Sequence, residues 1–129
     1  MTSEAPAVVR SLEKALGRLR SALDQPKTEW TRDSAIQRFE FTFELGWKAI
    51  ARMARAEGID CPSPRAALKT GLKLGWIHDD EIWLTMLDDR NRTSHTYNEK
   101  VAEELYSRLA EHHAALVGLH GRLAQRLLG

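Results

Sequence analysis

The chain has a single cysteine, Cys61. One thiol cannot close an internal disulfide, and no second cysteine exists to build a metal-binding pair. A lone cysteine suits a reducing cytoplasm, which is the expected location. Beside Pro62 it reads as an inert residue in a connection. Long apolar runs are also missing. No stretch approaches the roughly 20 residues that a membrane span requires, so no membrane association is expected. A dominant charge sign is absent too: 19 basic and 18 acidic residues leave a net charge of +1. That balance excludes a strongly basic nucleic-acid coat but leaves room for a small local basic site. The start, Met1-Thr2-Ser3-Glu4, has neither a basic opening nor an apolar stretch, so no signal peptide is expected. There is no β-hairpin signal, internal repeat, low-complexity segment or linker. The 129 residues suit one domain, 1–129, with enough chain to bury a core.

What is present is helical periodicity. Val8, Leu12, Leu16, Leu19 and Leu23 recur at three and four, predicting a helix over about residues 4 to 24, closed by Asp24-Gln25-Pro26. A second helix is predicted from about Asp33 to Glu57, with Gly58 just past its end. Its apolar positions are Ile36, Phe39, Phe43, Trp47, Ile50 and Ala54. Ser63-Pro64 marks the start of a short third helix that stops near Gly75. Asp79 or Asp80 opens a fourth, and a last helix runs from about Asn98 to Leu127. Thr96 and Glu99 have capping-box spacing at its start. The expected fold is all-α: an up-and-down antiparallel bundle of four to five helices.

Between the last two helices lies Arg90-Asn91-Arg92-Thr93-Ser94-His95-Thr96-Tyr97. Arg carries a permanent charge and a planar fork of donors that suits phosphate. His moves protons near neutral pH. Together beside a backbone phosphate they are the minimal parts of a metal-free ribonuclease. An Arg near a His is common on surfaces, so the context has to decide.

Helical geometry sharpens that context. At about 100° per residue, the apolar positions of the second helix fall within about 60° of one direction. Glu40 lies inside that sector and Glu44 at its edge. A carboxylate there either reaches water at the bundle's rim or is paired. For Glu44, Lys48 at i+4 is a ready surface partner. On the fourth helix Arg90 falls in the middle of the arc set by Ile82, Trp83, Met86 and Leu87, while Arg92 points to solvent. An inward Arg needs an acidic or phosphate partner, and Glu40 is the expected one. A straight helix would place His95 about 140° around from Arg90. The two can share a site only if the helix breaks near Thr93-Ser94, or if two chains face each other in a two-fold dimer.

The other histidines read as structural. His112 lies on the apolar face of the last helix beside His113, with His120 two turns on, and no convergent ligand set is apparent. His78, next to Asp79-Asp80, reads as turn chemistry. Trp30, Trp47, Trp76 and Trp83 read as core and interface anchors.

In the octapeptide the chain resembles the HEPN superfamily, and within it the HepT toxins of HEPN–MNT pairs. Their motif is Arg, four residues, His, one residue, Tyr, with a polar residue after the Arg; Asn91 fills that place. The segment Arg38-Phe39-Glu40-Phe41-Thr42-Phe43-Glu44-Leu45-Gly46-Trp47-Lys48 is similar to the same family, as are Ser63-Pro64-Arg65 and Trp83 ahead of Met86-Leu87. The likeness runs in order over about residues 30 to 105. Such proteins are also described as nucleotidyltransferase substrate-binding proteins. The resemblance implies a helical homodimer with two motifs in one cleft. It implies metal-independent RNA cleavage through the 2′-hydroxyl, with no cofactor. His95 would be the general base or acid, and Arg90 would hold the scissile phosphate. Asn91 would orient the phosphate or the His ring. The implied partner is an MNT-family nucleotidyltransferase antitoxin that adenylates Tyr97, placing a phosphate-bearing group beside the cleft. With a net charge near zero, a selective substrate such as a tRNA end or loop fits better than RNA in general. Two other readings stand beside this one: a binding subunit without chemistry, and a structural helical dimer with Arg90 and Glu40 as its buried pair.

Overall fold

The helix of residues 5–23 forms because apolar side chains return to one face every three or four positions. A computed structural model describes residues 4–129 of the chain. Met1, Thr2 and Ser3, on which the leader expectation largely rests, lie outside the described residues. The helices are α1 (Ala5–Leu23), α2 (Glu29–Ala56), α3 (Pro64–Lys73), α4 (Asp80–Arg92) and α5 (Glu99–Leu128), with a 3-10 turn at Thr93–His95. No strand occurs among the described residues, and no described helix is long and apolar enough to cross a membrane.

The second helix starts four residues earlier than the apolar pattern suggests. Thr28 accepts from the Thr31 backbone N–H, and the Thr31 hydroxyl accepts from the Thr28 backbone N–H. This reciprocal cap nucleates the helix ahead of the first buried apolar residue. Periodicity is silent there because Trp30, read as a core or interface anchor, is exposed and lies outside the core. Ser63 caps α3 as its sequence suggests. Gly58 and Gly75 take positive φ just past α2 and α3. Asp79 caps α4 from a left-handed backbone conformation, which Asp tolerates better than most residues.

Three long helices set the core. Arg52 near the end of α2 meets Glu4 before α1, and Thr42 reaches Ala15, so α1 and α2 run antiparallel. At the other ends of two helices, Arg32 meets Glu99 while Arg126 meets Glu57. Hence α2 and α5 run parallel, and α3 and α4 make the return between them. Among the described residues, α2 alone packs against all four other helices. Its Phe39, Phe43 and Ile50 are fully buried with Leu12 and Leu19 of α1 and Leu105, Leu109 and Leu116 of α5. Burying a side chain of this size contributes about 1.5–3 kcal/mol. Arg32 is only 3% exposed. Its hydrogen bonds to Glu99 and Glu103 outweigh desolvation and hold the guanidinium above its ordinary pKa. Cys61 is buried in the connection before α3.

Candidate functional site

The octapeptide spans the end of α4 and the turn to α5, and its own hydroxyls explain why the helix stops. Thr93 Oγ1 donates to the Arg90 carbonyl at 2.7 Å, Ser94 Oγ to Asn91 at 3.4 Å, and Thr96 Oγ1 to Thr93 at 3.2 Å. Side chains that bond to carbonyls one turn back compete with the helical ladder. The helix tightens into the 3-10 turn Thr93–His95, where the break was expected. The cap of α5 differs from expectation: Asn98, not Thr96, accepts from the N–H groups of Lys100 and Val101.

Arg90 is partly buried, and its carboxylate partner is Glu44 rather than Glu40. Arg90 Nη2 donates to Glu44 Oε2 at 2.7 Å, and Nη1 to Asn91 Oδ1 at 3.3 Å. Glu40 sits one turn earlier on α2, is exposed, and takes part in no ion pair or hydrogen bond among the described residues. The wheel identified an inward sector, but α4 approaches α2 along the sector's edge, where Glu44 stands. Burial works to raise the Glu44 pKa, yet the Arg90 hydrogen bond and the charges of Arg90 and Lys48, together with Trp47, outweigh it and hold the carboxyl below its usual range. The indole N–H of Trp47, close by but outside hydrogen-bonding geometry, adds to this effect. Lys48 lies 3.7 Å from the other Glu44 oxygen, as its spacing predicts.

His95 and Tyr97 face outward. Tyr97 is 83% exposed, and its hydroxyl lies 3.4 Å from His95 Nδ1. The rings meet edge to face with centroids 5.9 Å apart. Among the described residues no hydrogen bond or ion pair joins His95 to Arg90. The break therefore occurs without closing the pair inside one chain. Arg92, expected to point to solvent, lies partly exposed and paired. Its Nη2 donates to Glu104 at 2.7 Å, tying the end of α4 to α5.

The sequence reading missed Asp89. It is 1% exposed, between α4 and α5. Arg108 grips both of its oxygens, at 2.8 and 2.6 Å, and His112 Nε2 lies 2.7 Å from Oδ2. Burial pushes the Asp89 pKa up, but these two partners outweigh it and hold the carboxyl below its ordinary value. His112 stacks on Phe39, and its Nδ1 is buried without a partner. That arrangement suits the tautomer with the proton on Nε2, donating to Asp89. The available signal was Asp89's wheel position beside Ile82 and the inward His112. Among the described residues, no group of three or more His, Cys, Asp or Glu is placed to hold a metal ion.

Comparison with known proteins gives a consistent likeness. Over 80 residues the chain is 35% identical to a Haemophilus influenzae protein named "Probable ribonuclease HepT". That match takes in 58% of this chain and 55% of the relative, so the chain spans about half the length of that protein. A crystal structure from Thermus thermophilus superposes with a TM-score of 0.81 at 38% identity, over 87% of this chain and 98% of that one. The structure of HI0074 from Haemophilus influenzae is described as revealing the fold of a substrate binding domain of a nucleotidyltransferase. It matches with a TM-score of 0.70 at 28% identity, covering 93% and 96% of the two chains. Residues 7–125 match the family described as "Nucleotidyltransferase substrate binding protein like". With nearly all of its helical bundle inside that match, the chain belongs to the nucleotidyltransferase substrate-binding-protein-like family.

Proposed function

We propose that this chain is a HEPN-type toxin: a metal-independent endoribonuclease, acting on tRNA or another cellular RNA, restrained by a cognate MNT nucleotidyltransferase. The observation that carries the reading is the grouping of Arg90, His95 and Tyr97 around one helix break, with His95 and Tyr97 exposed. His95 takes the proton of a 2′-hydroxyl. That oxygen attacks the neighbouring phosphorus, the 5′-oxygen departs, and a cyclic phosphate and a 5′-hydroxyl result. Arg90 balances the charge that grows on the phosphoryl oxygens. Asn91 steadies the Arg90 fork. The missing contact between His95 and Arg90 supports a site shared by two copies of the chain. A two-fold homodimer brings a second His95 to protonate the departing oxygen. The nucleotidyltransferase transfers adenylate from ATP to the Tyr97 hydroxyl and releases pyrophosphate. The added phosphate then repels the RNA backbone.

The test is expression of the chain alone and beside its partner, with cellular RNA examined directly. Wild-type protein arrests growth and cuts RNA, and cleavage persists in a chelator. His95→Ala abolishes both effects, and Arg92→Ala acts on stability far more than on cleavage. A folded dimer that leaves RNA intact rejects the reading. The alternative is a non-catalytic substrate- or nucleotide-binding subunit of a two-component nucleotidyltransferase, which the description of HI0074 favours. It predicts a tight complex with the nucleotidyltransferase and no RNA loss when the chain is expressed alone.

A further inference from the structure

A groove of about 510 Å³ lies between α1 and α2, and Glu44, the residue that holds Arg90, lines it. Its volume falls within the range of small-ligand sites. Lys14 and Arg18 lie along its α1 wall, one turn apart, and Arg38 along its α2 wall. Among the described residues none of these three cations has an ion pair or hydrogen bond. Arg32, Arg52, Arg90, Arg92 and Arg108 each have a carboxylate partner, whereas here three unpaired cations line one groove. Among the described residues, the one carboxylate lining the groove, Glu44, is already engaged by Arg90 and Lys48. The groove is thus a concentrated positive strip in a chain whose net charge is +1. Phe41 stands in it between Arg38 and Glu44, and is 56% exposed.

Unpaired cations with an exposed aromatic between them match one ligand chemistry well. Single-stranded nucleic acid binds where cations follow its phosphates and an aromatic ring stacks on a base. A second copy of the chain is a poorer occupant. A two-fold contact sets a patch against itself, and this patch would place like charges face to face without carboxylates to relieve them. We propose that the α1–α2 groove binds the single-stranded RNA flanking the scissile bond. Lys14, Arg18 and Arg38 take backbone phosphates, and Phe41 stacks on a base. This deepens the ribonuclease reading and rests on it for the position of the scissile bond. It also resolves an apparent conflict. A chain of near-zero net charge can select RNA if three of its unpaired cations line one groove beside the motif.

The experiment uses the full chain carrying His95→Ala, so that bound RNA survives. A fluorescein-labelled single-stranded RNA of mixed sequence is titrated by anisotropy at several salt concentrations. Arg18→Ala with Arg38→Ala weakens binding by about tenfold or more and lowers the salt slope by about 1.4, at about 0.7 per lost phosphate contact. Phe41→Ala weakens binding while leaving the salt slope unchanged. Unchanged affinity in both variants overturns the proposal, as does a wild-type groove that binds no RNA. So does a changed sedimentation mass or loss of the nucleotidyltransferase complex with RNA affinity retained, since the groove is then a protein interface. Cleavage by chains with His95 intact separates the two ideas. RNA cut normally by groove variants of unchanged affinity sinks the groove and spares the ribonuclease. Groove-dependent binding of RNA that wild-type protein never cuts does the reverse.

Discussion

Asp89 Oδ2 lies 2.7 Å from His112 Nε2, in a core where both side chains are about 1% exposed. Arg108 closes the other side of the carboxylate. The cluster fastens the last turn of α4 to the middle of α5, one residue before Arg90. Removing the carboxylate leaves a buried imidazole N–H and a partly buried guanidinium without their acceptor. Breaking a buried ion pair costs about 3–5 kcal/mol. Arg108 is 31% exposed at its side chain and regains water, so Asp89→Ala should cost about 3 kcal/mol, the lower end. Urea unfolding measures this. A loss below about 1 kcal/mol, the size of a surface pair, would show the cluster to be dispensable.

The same carboxylate gives the fold an acid limit. A carboxylate whose folded pKa lies below its unfolded value contributes stability that is fully present above the unfolded value. It loses that contribution as the pH falls through the folded value. Asp89 and Glu44 are both shifted downward. Unfolded Asp and Glu titrate at about 4. The melting temperature should therefore be insensitive to these groups near neutrality and fall below about pH 4. In Asp89→Asn the acid slope should be shallower, because one of the titrating groups is gone. Equal slopes in the two proteins would assign the acid sensitivity elsewhere.

Gly46 sets how closely α2 approaches α5. A Cβ there would sit 2.9 Å from Leu116 Cδ2 and 3.7 Å from Leu119 Cδ2, both on fully buried side chains. In an open helix, Gly→Ala gains about 0.5–1 kcal/mol of stability. Here the methyl must displace a packed leucine, so Gly46→Ala should be no more stable than the wild type. Gly46→Leu should lose about 1–3 kcal/mol through overpacking. Urea midpoints decide, and a clear gain for the alanine variant would mean that Leu116 has room to swing aside.

The helices were legible because burial imposes its period on the sequence. Leu12, Leu16 and Leu19 are inside because α1 has one dry face. The break near Thr93-Ser94 was one of two ways foreseen to bring Arg90 and His95 together. It occurs, but the hydroxyls of Thr93, Ser94 and Thr96 make it, and the pair stays open. What a wheel cannot supply is the line along which two helices meet. It placed Glu40 and Glu44 in one neighbourhood, and the approach of α4 chose between them. Asp88 and Asp89 are the same residue type, yet one is exposed and the other, on the wheel beside Ile82, is buried. The difference comes from Arg108 and His112, a turn and more into another helix. The start of α2 was hidden because Thr28 and Thr31 act by hydrogen bonding, which leaves no apolar trace.

The choice between the two glutamates can be tested by function. Glu44 and Arg90 are each about one-third exposed at the side chain, so their pair is nearer a surface pair than a buried one. Glu44→Gln should cost no more than about 1 kcal/mol of stability. It should nevertheless slow RNA cleavage, since the Arg90 fork loses the charged anchor that aims it. Glu40→Gln should change neither quantity, being exposed and unpaired among the described residues. Cleavage assays beside urea unfolding separate the outcomes. A Glu40 variant as slow as the Glu44 variant would mean that Glu40 acts on RNA rather than on Arg90.

Tyr97 offers the cleanest separation of activity from its control. Tyr97 is 83% exposed, and among the described residues its hydroxyl has one hydrogen-bonding neighbour, His95 at 3.4 Å. Losing that hydroxyl removes one long hydrogen bond at the surface and no packing. Tyr97→Phe should therefore fold with unchanged stability and keep most of its RNA cleavage, because the imidazole and Arg90 remain. Under the proposed function, what it loses is the nucleophile for adenylate transfer. Co-expression with the nucleotidyltransferase should leave Tyr97→Phe toxic, while the wild type is silenced and gains the mass of one adenylate on the peptide containing Tyr97. Intact-mass and peptide mass spectrometry read the modification, and growth reads the toxicity. If the partner silences Tyr97→Phe as fully as the wild type, neutralisation works by complex formation, and the exposed hydroxyl beside His95 serves the cleavage site instead.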